Sequence, residues 1–362
     1  MISLVLIIVA VAVAVAVIAI AYLLLRPDTL AKYDLPEGQL FAPDADSDFN
    51  SKSRVALKLV HEKISAAHKQ NASLSLKQRM FAIRESMDSF FDDVPIASDI
   101  TPVEADGVAA EWVLAPGADS RRRLLYIHGG AFYVGSAKSH RVITSKLSEI
   151  TNSAVLAINY RLMPEHPRMA GIEDCRTAYD WLLGNGPEGR AEAATVLVAG
   201  DSAGGNLTLS LLAWLRDSGR RLPNAAVALS PVTDARMRSP SIKRNLDTDI
   251  FLKPLAEGLR KIPRPLLVAG KWLYSGHSPR DPLVSPVHGD LSGLPPILVQ
   301  VSDTEILLDD GRRYVNKAAA SGTNALLQRW QYMPHVWQIF YPDLPQAAEA
   351  FDEIEAFLGR YA

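Results

Sequence analysis

The stretch Val196-Leu197-Val198-Ala199-Gly200-Asp201-Ser202-Ala203-Gly204 does most to determine the fold of this 362-residue chain. Its first four residues are apolar and predict a buried strand. A helix is predicted directly behind it, from the apolar residues Leu207, Leu211, Leu212 and Leu215. A serine between two glycines at such a strand-to-helix turn is typical of a nucleophile in a strained elbow, because glycine lets neighbouring backbone approach closely. The start of the helix also favours a developing oxyanion.

Around this stretch, short apolar runs alternate with helix-like segments from residue 100 onward. The predicted strands are 124–127, 154–158, 195–199, 225–229, 297–301 and 325–330. The predicted helices lie near 138–150, 170–184, 203–217, 306–320 and 345–358. Alternation with continuously apolar strands indicates an α/β fold whose mostly parallel sheet is covered by helices on both faces. The proline-rich interval 230–296 interrupts the pattern and predicts an insertion above the sheet.

A glycine motif, His128-Gly129-Gly130-Ala131-Phe132, follows the strand predicted over 124–127. The backbone amides of Gly129 and Gly130, with that of Ala203, can converge on one oxyanion. His128 precedes the serine, whereas this fold orders the nucleophile first, then the acid, then the histidine. We therefore interpret His128 as a residue that braces the glycine loop.

The general base should come late in the chain. His335 follows the last predicted strand, at the sheet edge where the elbow is also expected. Two other histidines follow the serine, His277 and His288, and they lie in the proline-rich insertion and its exit. The sequence therefore predicts His335 as the base that acts on Ser202.

The acid that orients the base should follow the strand predicted over 297–301. Asp303 and Glu305 both lie there, and either carboxylate could hold the imidazole in the correct tautomer. Their spacing does not separate them. Asp309 and Asp310, on the next helix, are expected to face solvent or a loop.

With these motifs, the sequence resembles the hormone-sensitive-lipase-like carboxylesterases of the α/β-hydrolase fold, relatives of arylacetamide deacetylase. Residues 128–131 are similar to the family's HGGG motif, with alanine last, and 160–167 (YRLMPEHP) to its YRLAPEHP stretch. Residues 200–205 match its GDSAGG motif, and 281–286 (DPLVSP) resemble its exit from the cap. The resemblance covers about residues 100–362.

The resemblance also implies an acid and a domain layout. The family's D-x-L-x-D-D/E-G motif aligns with residues 305–311 (EILLDDG), so it implies Glu305 as the acid, with Asp303 as the alternative. It implies an α/β-hydrolase catalytic domain over 100–362. A helical cap would be formed by residues 51–99 and an insertion at about 233–280.

The function implied is that of a serine carboxylesterase, with an acyl-enzyme on Ser202 and a small-molecule ester, of short to medium acyl chain, as substrate. One alternative keeps the triad and acts as a deacetylase or amidase on small acylated molecules. Another is a non-catalytic ligand-binding protein on the same fold. The sequence has no GxxxxGK[ST] or HExxH motif and no dinucleotide-binding GxGxxG after the first strand, so no cofactor or metal is implied.

The N-terminus departs from the rest of the chain. Residues 4–25 are 22 consecutive apolar or aromatic residues, enough to span about 33 Å as a helix. No Lys or Arg precedes the run, and the run is too long for a cleaved signal, so residues 1–25 are expected to form a retained single-pass transmembrane anchor. Residues 26–50 are expected to be a linker. Arg26 and Lys32 behind the span favour a cytoplasmic catalytic domain.

Overall composition excludes other classes of function. The chain has 38 Lys and Arg against 40 Asp and Glu, a net charge of −2, so it carries no electrostatic signature of a nucleic-acid-binding protein. Cys175 is the lone cysteine, which excludes an intrachain disulfide and a cysteine-based zinc site. The oligomeric state stays open.

Overall fold

The computed structural model describes residues 28–36, 38–42, 48–70, 74–263 and 275–361, together with the single positions 11, 266, 270 and 272. The strands in this part of the chain are β1 (Gln39–Phe41), β2 (Asp99–Ala105), β3 (Val108–Leu114), β4 (Asp119–Ile127), β5 (Ser153–Ile158), the short pair β6 (Asn185–Gly186) and β7 (Gly189–Arg190), β8 (Thr195–Asp201), β9 (Ala225–Leu229), β10 (Ile297–Ser302) and β11 (Ala325–Trp330). The helices are α1 (Asp48–Gln70), α2 (Leu76–Ser89), α3 (Arg141–Thr151), α4 (Arg168–Gly184), α5 (Ser202–Asp217), α6 (Ser241–Arg244), α7 (Lys253–Arg260), α8 (Leu308–Ala320) and α9 (Pro345–Leu358).

One large sheet organises the molecule, in the order β1-β11-β10-β9-β8-β4-β5-β3-β2. In this sheet β3 pairs antiparallel with both β2 and β5, and all the other pairings are parallel. Every residue of β5, β9 and β10 is buried, as expected for strands covered on both faces. The predicted α/β class and mostly parallel sheet are confirmed.

Helices cover both faces of the sheet. On one face, α4, α5 and α8 contribute Leu182, Leu211 and Tyr314 to a buried apolar cluster. On the other face, α3 and α9 contribute Leu147 and Phe351 to a second cluster. Each cluster packs against apolar side chains of the strands, which alternate between the two faces. Burial of these two layers supplies the main stabilisation of the fold.

The sheet extends beyond the strands predicted from the sequence. The missed hairpin β2–β3 turns at Asp106 and Gly107, whose φ angles are +52° and +86°. These values suit an Asp-Gly turn between antiparallel strands. The sequence contains this turn signal, but only some residues of the flanking strands are buried, so no continuous apolar run marks them.

The interval 26–50, expected to be a linker, is instead partly built into the domain. Within it, β1 pairs in parallel with β11, and the Phe41 ring stacks on Trp330 at 4.3 Å. Asp34 binds Arg313 at 2.6 Å, and Asp28 lies 2.9 Å from the same guanidinium. Two acidic residues of the expected linker are therefore held by a cation on α8.

The expected transmembrane anchor, residues 1–25, lies outside the described residues apart from Val11. In the part of the chain that the structure does describe, no helix combines the length and the apolar character needed to cross a membrane.

The segments expected to form the cap contact the sheet and its loops. Helix α1 packs against α9, where Gln346 donates a hydrogen bond to Ser53 at 2.7 Å. On α2, Arg84 donates to the carbonyl oxygens of Tyr133 and Met163, at 2.7 and 3.1 Å. The insertion, 233–280 in the prediction, carries α6 and α7. The strands β4, β8, β10 and β11 run in the same direction, so their carboxyl ends lie at one edge of the sheet.

Candidate active site

The serine elbow lies at the end of β8, where α5 begins. Ser202 has a φ of +52°, a strained conformation for a non-glycine residue. A Cβ at Gly200 would lie 2.7 Å from the carbonyl oxygen of Ile127, and one at Gly204 would overlap the same oxygen. Glycine at both positions is therefore required by the approach of β4, as the motif predicted. The turn holds the Ser202 hydroxyl above the sheet edge.

Three side chains from three different loops meet at this edge. His335 Nε2 lies 2.9 Å from Ser202 Oγ, and His335 Nδ1 lies 2.6 Å from Glu305 Oε2. The second carboxylate oxygen of Glu305 accepts a hydrogen bond from the Ser302 amide at 2.8 Å. His335 is 3% exposed and Glu305 is fully buried. This is the arrangement in which a carboxylate orients an imidazole toward a hydroxyl.

The two acid candidates have different partners in the structure. The carboxylate of Asp303 accepts a hydrogen bond from the Tyr332 amide at 2.9 Å, whereas Glu305 contacts His335. The Asp303 carbonyl oxygen also accepts a hydrogen bond from Asn245 at 2.7 Å. Glu305 is thus the carboxylate that can orient the imidazole, and Asp303 supports the surrounding loop.

Asp309 and Asp310 were expected to face solvent or a loop. The prediction that they face solvent is wrong. Both are buried at the start of α8. Asp310 accepts hydrogen bonds from the amides of Thr233 and Asp234, at 2.8 and 3.0 Å, and Asp309 from that of Ser241, at 2.8 Å. Burial, followed by the charge of Asp234, raises the pKa of Asp310 to about 7. These partners come from the start of the insertion, which the two carboxylates tie to α8.

The electrostatics of the site involve a residue that the sequence did not single out. Asp249, in the insertion, is buried and accepts a hydrogen bond from the Ile306 amide at 2.8 Å. Burial alone would lower the pKa of His335, but the hydrogen bond and charge of Glu305, then the charge of Asp249, outweigh it. The pKa of His335 therefore lies above its usual 6.5. No local motif marks Asp249.

The glycine loop differs in one donor from the sequence prediction. The amide of Gly129 donates to the Asp201 carboxylate at 2.9 Å, so it is not available for an oxyanion. Within the described residues, the amides of Gly130, Ala131 and Ala203 donate no hydrogen bond. Gly130 and Ala131 have φ angles of +110° and +54°. The free donors in this part of the chain are therefore the amides of Gly130, Ala131 and Ala203. The two from the glycine loop lie one residue later than predicted.

The remaining histidines have other partners. His128 is buried, its Nδ1 lies 2.7 Å from the Gly129 carbonyl oxygen, and its ring stacks on Tyr160 at 4.4 Å. Burial lowers its pKa to about 3, which keeps it neutral, in keeping with a bracing role. His277 pairs with Asp281 at 2.9 Å, and His288 lies 3.4 Å from Asp234. In the described part of the chain, no group of three or more His, Cys, Asp or Glu residues could hold a metal ion.

Known proteins are similar to this chain in sequence and in fold. A family model described as alpha/beta hydrolase fold matches residues 124–339. A protein named acetyl-hydrolase from Streptomyces hygroscopicus is 42% identical over 250 residues, which cover 69% of this chain and 79% of that protein. An esterase from Acinetobacter venetianus is 33% identical over 260 residues, covering 71% of this chain and 81% of its own length.

Solved structures give the same result. The crystal structure of an esterase from the bacterial hormone-sensitive lipase family matches with a TM-score of 0.73 and 35% identity. The match covers 85% of this chain and 98% of that one. The family model, the relatives and the geometry at the carboxyl edge of the sheet agree. The chain therefore belongs to the hormone-sensitive-lipase-like carboxylesterases of the α/β-hydrolase family.

Proposed function

We propose that this carboxylesterase cleaves small-molecule esters through an acyl-enzyme on Ser202. The main support for this proposal is that the His335 imidazole contacts both the Ser202 hydroxyl and the Glu305 carboxylate. His335 Nε2 takes the hydroxyl proton as Ser202 Oγ attacks the ester carbonyl carbon. The same proton then passes to the leaving alkoxide as the carbon–oxygen bond breaks.

Water completes the cycle by the same steps. His335 removes a proton from a water molecule, the water oxygen attacks the acyl carbon, and the proton returns to Ser202 Oγ as the carboxylic acid leaves. The oxyanion formed in each half-reaction would accept hydrogen bonds from the amides of Gly130, Ala131 and Ala203. Each such donor typically contributes about 3–4 kcal/mol to the transition state.

A short to medium acyl chain is the proposed preference. The name of the Streptomyces relative, acetyl-hydrolase, supports this preference, whereas the amidase and ligand-binding alternatives gain no support from the relatives. The Phe251 ring, centred 6.0 Å from that of His335, supplies an apolar wall beside the base.

A panel of p-nitrophenyl esters from acetate to dodecanoate, with matched p-nitroanilides, tests this proposal. We expect kcat/KM to be highest at eight acyl carbons or fewer and at least about a hundredfold lower for each anilide. A maximum at dodecanoate, or anilides cleaved as fast as the esters, would contradict the preference.

The pH dependence of the reaction should report His335. Only the neutral imidazole accepts a proton, and the pKa of His335 lies above its usual 6.5. We therefore expect kcat/KM to fall as pH is lowered through that raised value. Glu305→Gln removes the charge that raises the pKa, so the acid limb of the residual activity should move to lower pH.

Asp303→Asn is the matched control for this profile, because it neutralises a carboxylate two residues away that does not contact His335. Its acid limb should stay where it is in the unmodified protein. If the acid limb of the pH profile moves with Asp303→Asn and does not move with Glu305→Gln, the assignment of Glu305 as the acid is wrong.

We also propose that residues 1–25 anchor the enzyme in a membrane with its catalytic domain in the cytoplasm. The apolar run over 4–25 and the basic residues Arg26 and Lys32 support this. Carbonate extraction of membranes and protease protection of vesicles test it. Release of the full chain by carbonate would refute the anchor, and protection of the catalytic domain in sealed inverted vesicles would refute the orientation.

A further inference from the structure

A buried carboxylate links the serine elbow to the glycine loop. Asp201, the residue before Ser202, is 2% exposed at the end of β8. Its Oδ1 accepts hydrogen bonds from the Gly129 amide at 2.9 Å and from the Tyr126 hydroxyl at 2.7 Å. Its Oδ2 lies 3.4 Å from His140 Nε2. One side chain of the elbow therefore holds the first glycine of the loop.

His140 holds the other end of the same loop. Its Nδ1 lies 3.1 Å from the Ser136 carbonyl oxygen, which can only accept a hydrogen bond. The Ser139 hydroxyl, 2.9 Å from Nδ1, donates its own hydrogen to that carbonyl at 3.0 Å. Both ring nitrogens thus face acceptors, an arrangement that the doubly protonated imidazolium satisfies.

Ionisation of the two groups agrees with this geometry. Burial alone would lower the pKa of His140, but the charge and hydrogen bond of Asp201 outweigh it and leave the pKa above 6.5. Burial alone would raise the pKa of Asp201, but the charge and hydrogen bond of His140 outweigh burial and leave this pKa below its usual value. Both shifts favour the charged forms of the pair, and the charge of Asp88 on α2 also raises the pKa of His140.

The close approach of this carboxylate has a structural consequence for the next residues. A Cβ on Gly129 would overlap the Asp201 carboxylate, so position 129 must be glycine. The peptide planes that follow carry the unpaired amides of Gly130 and Ala131. Because planar peptides leave two rotations per residue, fixing Gly129 restricts where those two amides point.

We propose that Asp201 and His140 are positioning residues that aim the amides of Gly130 and Ala131 at the oxyanion formed on Ser202. This proposal rests on the proposed function of Ser202 and adds a role for two residues that do not touch the substrate. Asp201 holds the loop through Gly129, and His140 holds the carboxylate and the end of the loop through Ser136.

Three variants of the full chain test the proposal. Asp201→Leu removes the acceptor for the Gly129 amide at similar volume, and Asp201→Asn keeps an oxygen that can accept it. Tyr126→Phe is the matched control, because it removes a hydrogen bond to the same carboxylate oxygen from the sheet rather than from the loop. For each variant, kcat and KM for p-nitrophenyl acetate are measured per Ser202 site titrated with a fluorophosphonate. Affinity for a trifluoromethyl ketone, which forms an oxyanion on the serine, is measured beside them.

We expect Asp201→Leu to lower kcat by about a hundredfold, the effect typical of losing an oxyanion donor, with KM within about threefold. Its affinity for the trifluoromethyl ketone should fall by the same factor as kcat. Asp201→Asn should stay within about tenfold of the unmodified protein, and Tyr126→Phe within about threefold.

The proposal is overturned if kcat per titrated site is unchanged in Asp201→Leu. It is also overturned if Tyr126→Phe loses as much activity, or if ketone affinity is kept while kcat falls. If Asp201→Leu does not fold, Asp201→Ala, which leaves room for water, is judged by the same criteria. Failure of the proposed function is a distinct result, since the fluorophosphonate would then not label Ser202 in the unmodified protein.

Discussion

Replacing Ser202 with alanine is expected to lower kcat for a short p-nitrophenyl ester by about 10⁵–10⁶-fold. The reason is that, among the residues that the structure describes, only the Ser202 hydroxyl contacts the His335 imidazole. The triad acts as a unit, so loss of one member disables it. A low residual activity, above the rate of the uncatalysed reaction, should remain because the unpaired amides of the glycine loop are still present. Steady-state kinetics on purified protein measure the effect.

The fold should not change in this variant. Ser202 contributes its hydroxyl to His335, and alanine occupies the same backbone conformation with the same Cβ. Ser210→Ala is the matched control: it lies on the same helix and binds the Leu283 carbonyl oxygen at 3.2 Å, away from the imidazole. It should keep kcat within about threefold. Ser202→Ala retaining more than about 1% of kcat would refute the nucleophile assignment.

Replacing Glu305 with alanine is expected to lower kcat by about 10⁴-fold. A carboxylate in this position holds the imidazole in the correct tautomer and stabilises the imidazolium. Its loss from other serine hydrolases with such a triad has an effect of that size. His335 Nδ1 would then lose its 2.6 Å partner inside a buried site. Asp303→Ala should instead stay within about threefold in kcat, because the Asp303 carboxylate contacts the Tyr332 amide.

Measuring both variants at the same pH, with far-UV circular dichroism as the check of folding, separates the two carboxylates. An equal loss in the two folded proteins would show that the orienting charge is shared. A large loss in Asp303→Ala alone would make that residue the acid and contradict the geometry.

The central sheet was predictable because burial on both faces leaves continuous apolar runs. Strands β9 and β11 have the predicted bounds, and α9 does as well. Strand β1 was missed because three residues at a sheet edge, two of them exposed, leave no periodic signal. Its pairing depends on β11, almost 300 residues further along the chain, which no local pattern encodes.

The residues expected at the site were found through motifs and chain order, and the structure brings Ser202, His335 and Glu305 together. The choice of Gly129 as an oxyanion donor was wrong because the sequence does not show that the Asp201 carboxylate takes its amide. Asp249 and His140 were missed for the same reason, since each acts through a contact made by the folded chain. Residue type and spacing show which groups could react, but not which polar atoms are already paired.

Peptide mapping after inactivation by diethyl p-nitrophenyl phosphate tests most directly whether Ser202 is the activated hydroxyl. We expect one diethylphosphoryl group per chain, on the peptide that carries Ser202, with activity lost in proportion to labelling. His335→Ala should slow the labelling by orders of magnitude. Full inactivation with the label on another residue, or stoichiometric labelling of Ser202 with activity intact, would show that Ser202 is not the catalytic nucleophile.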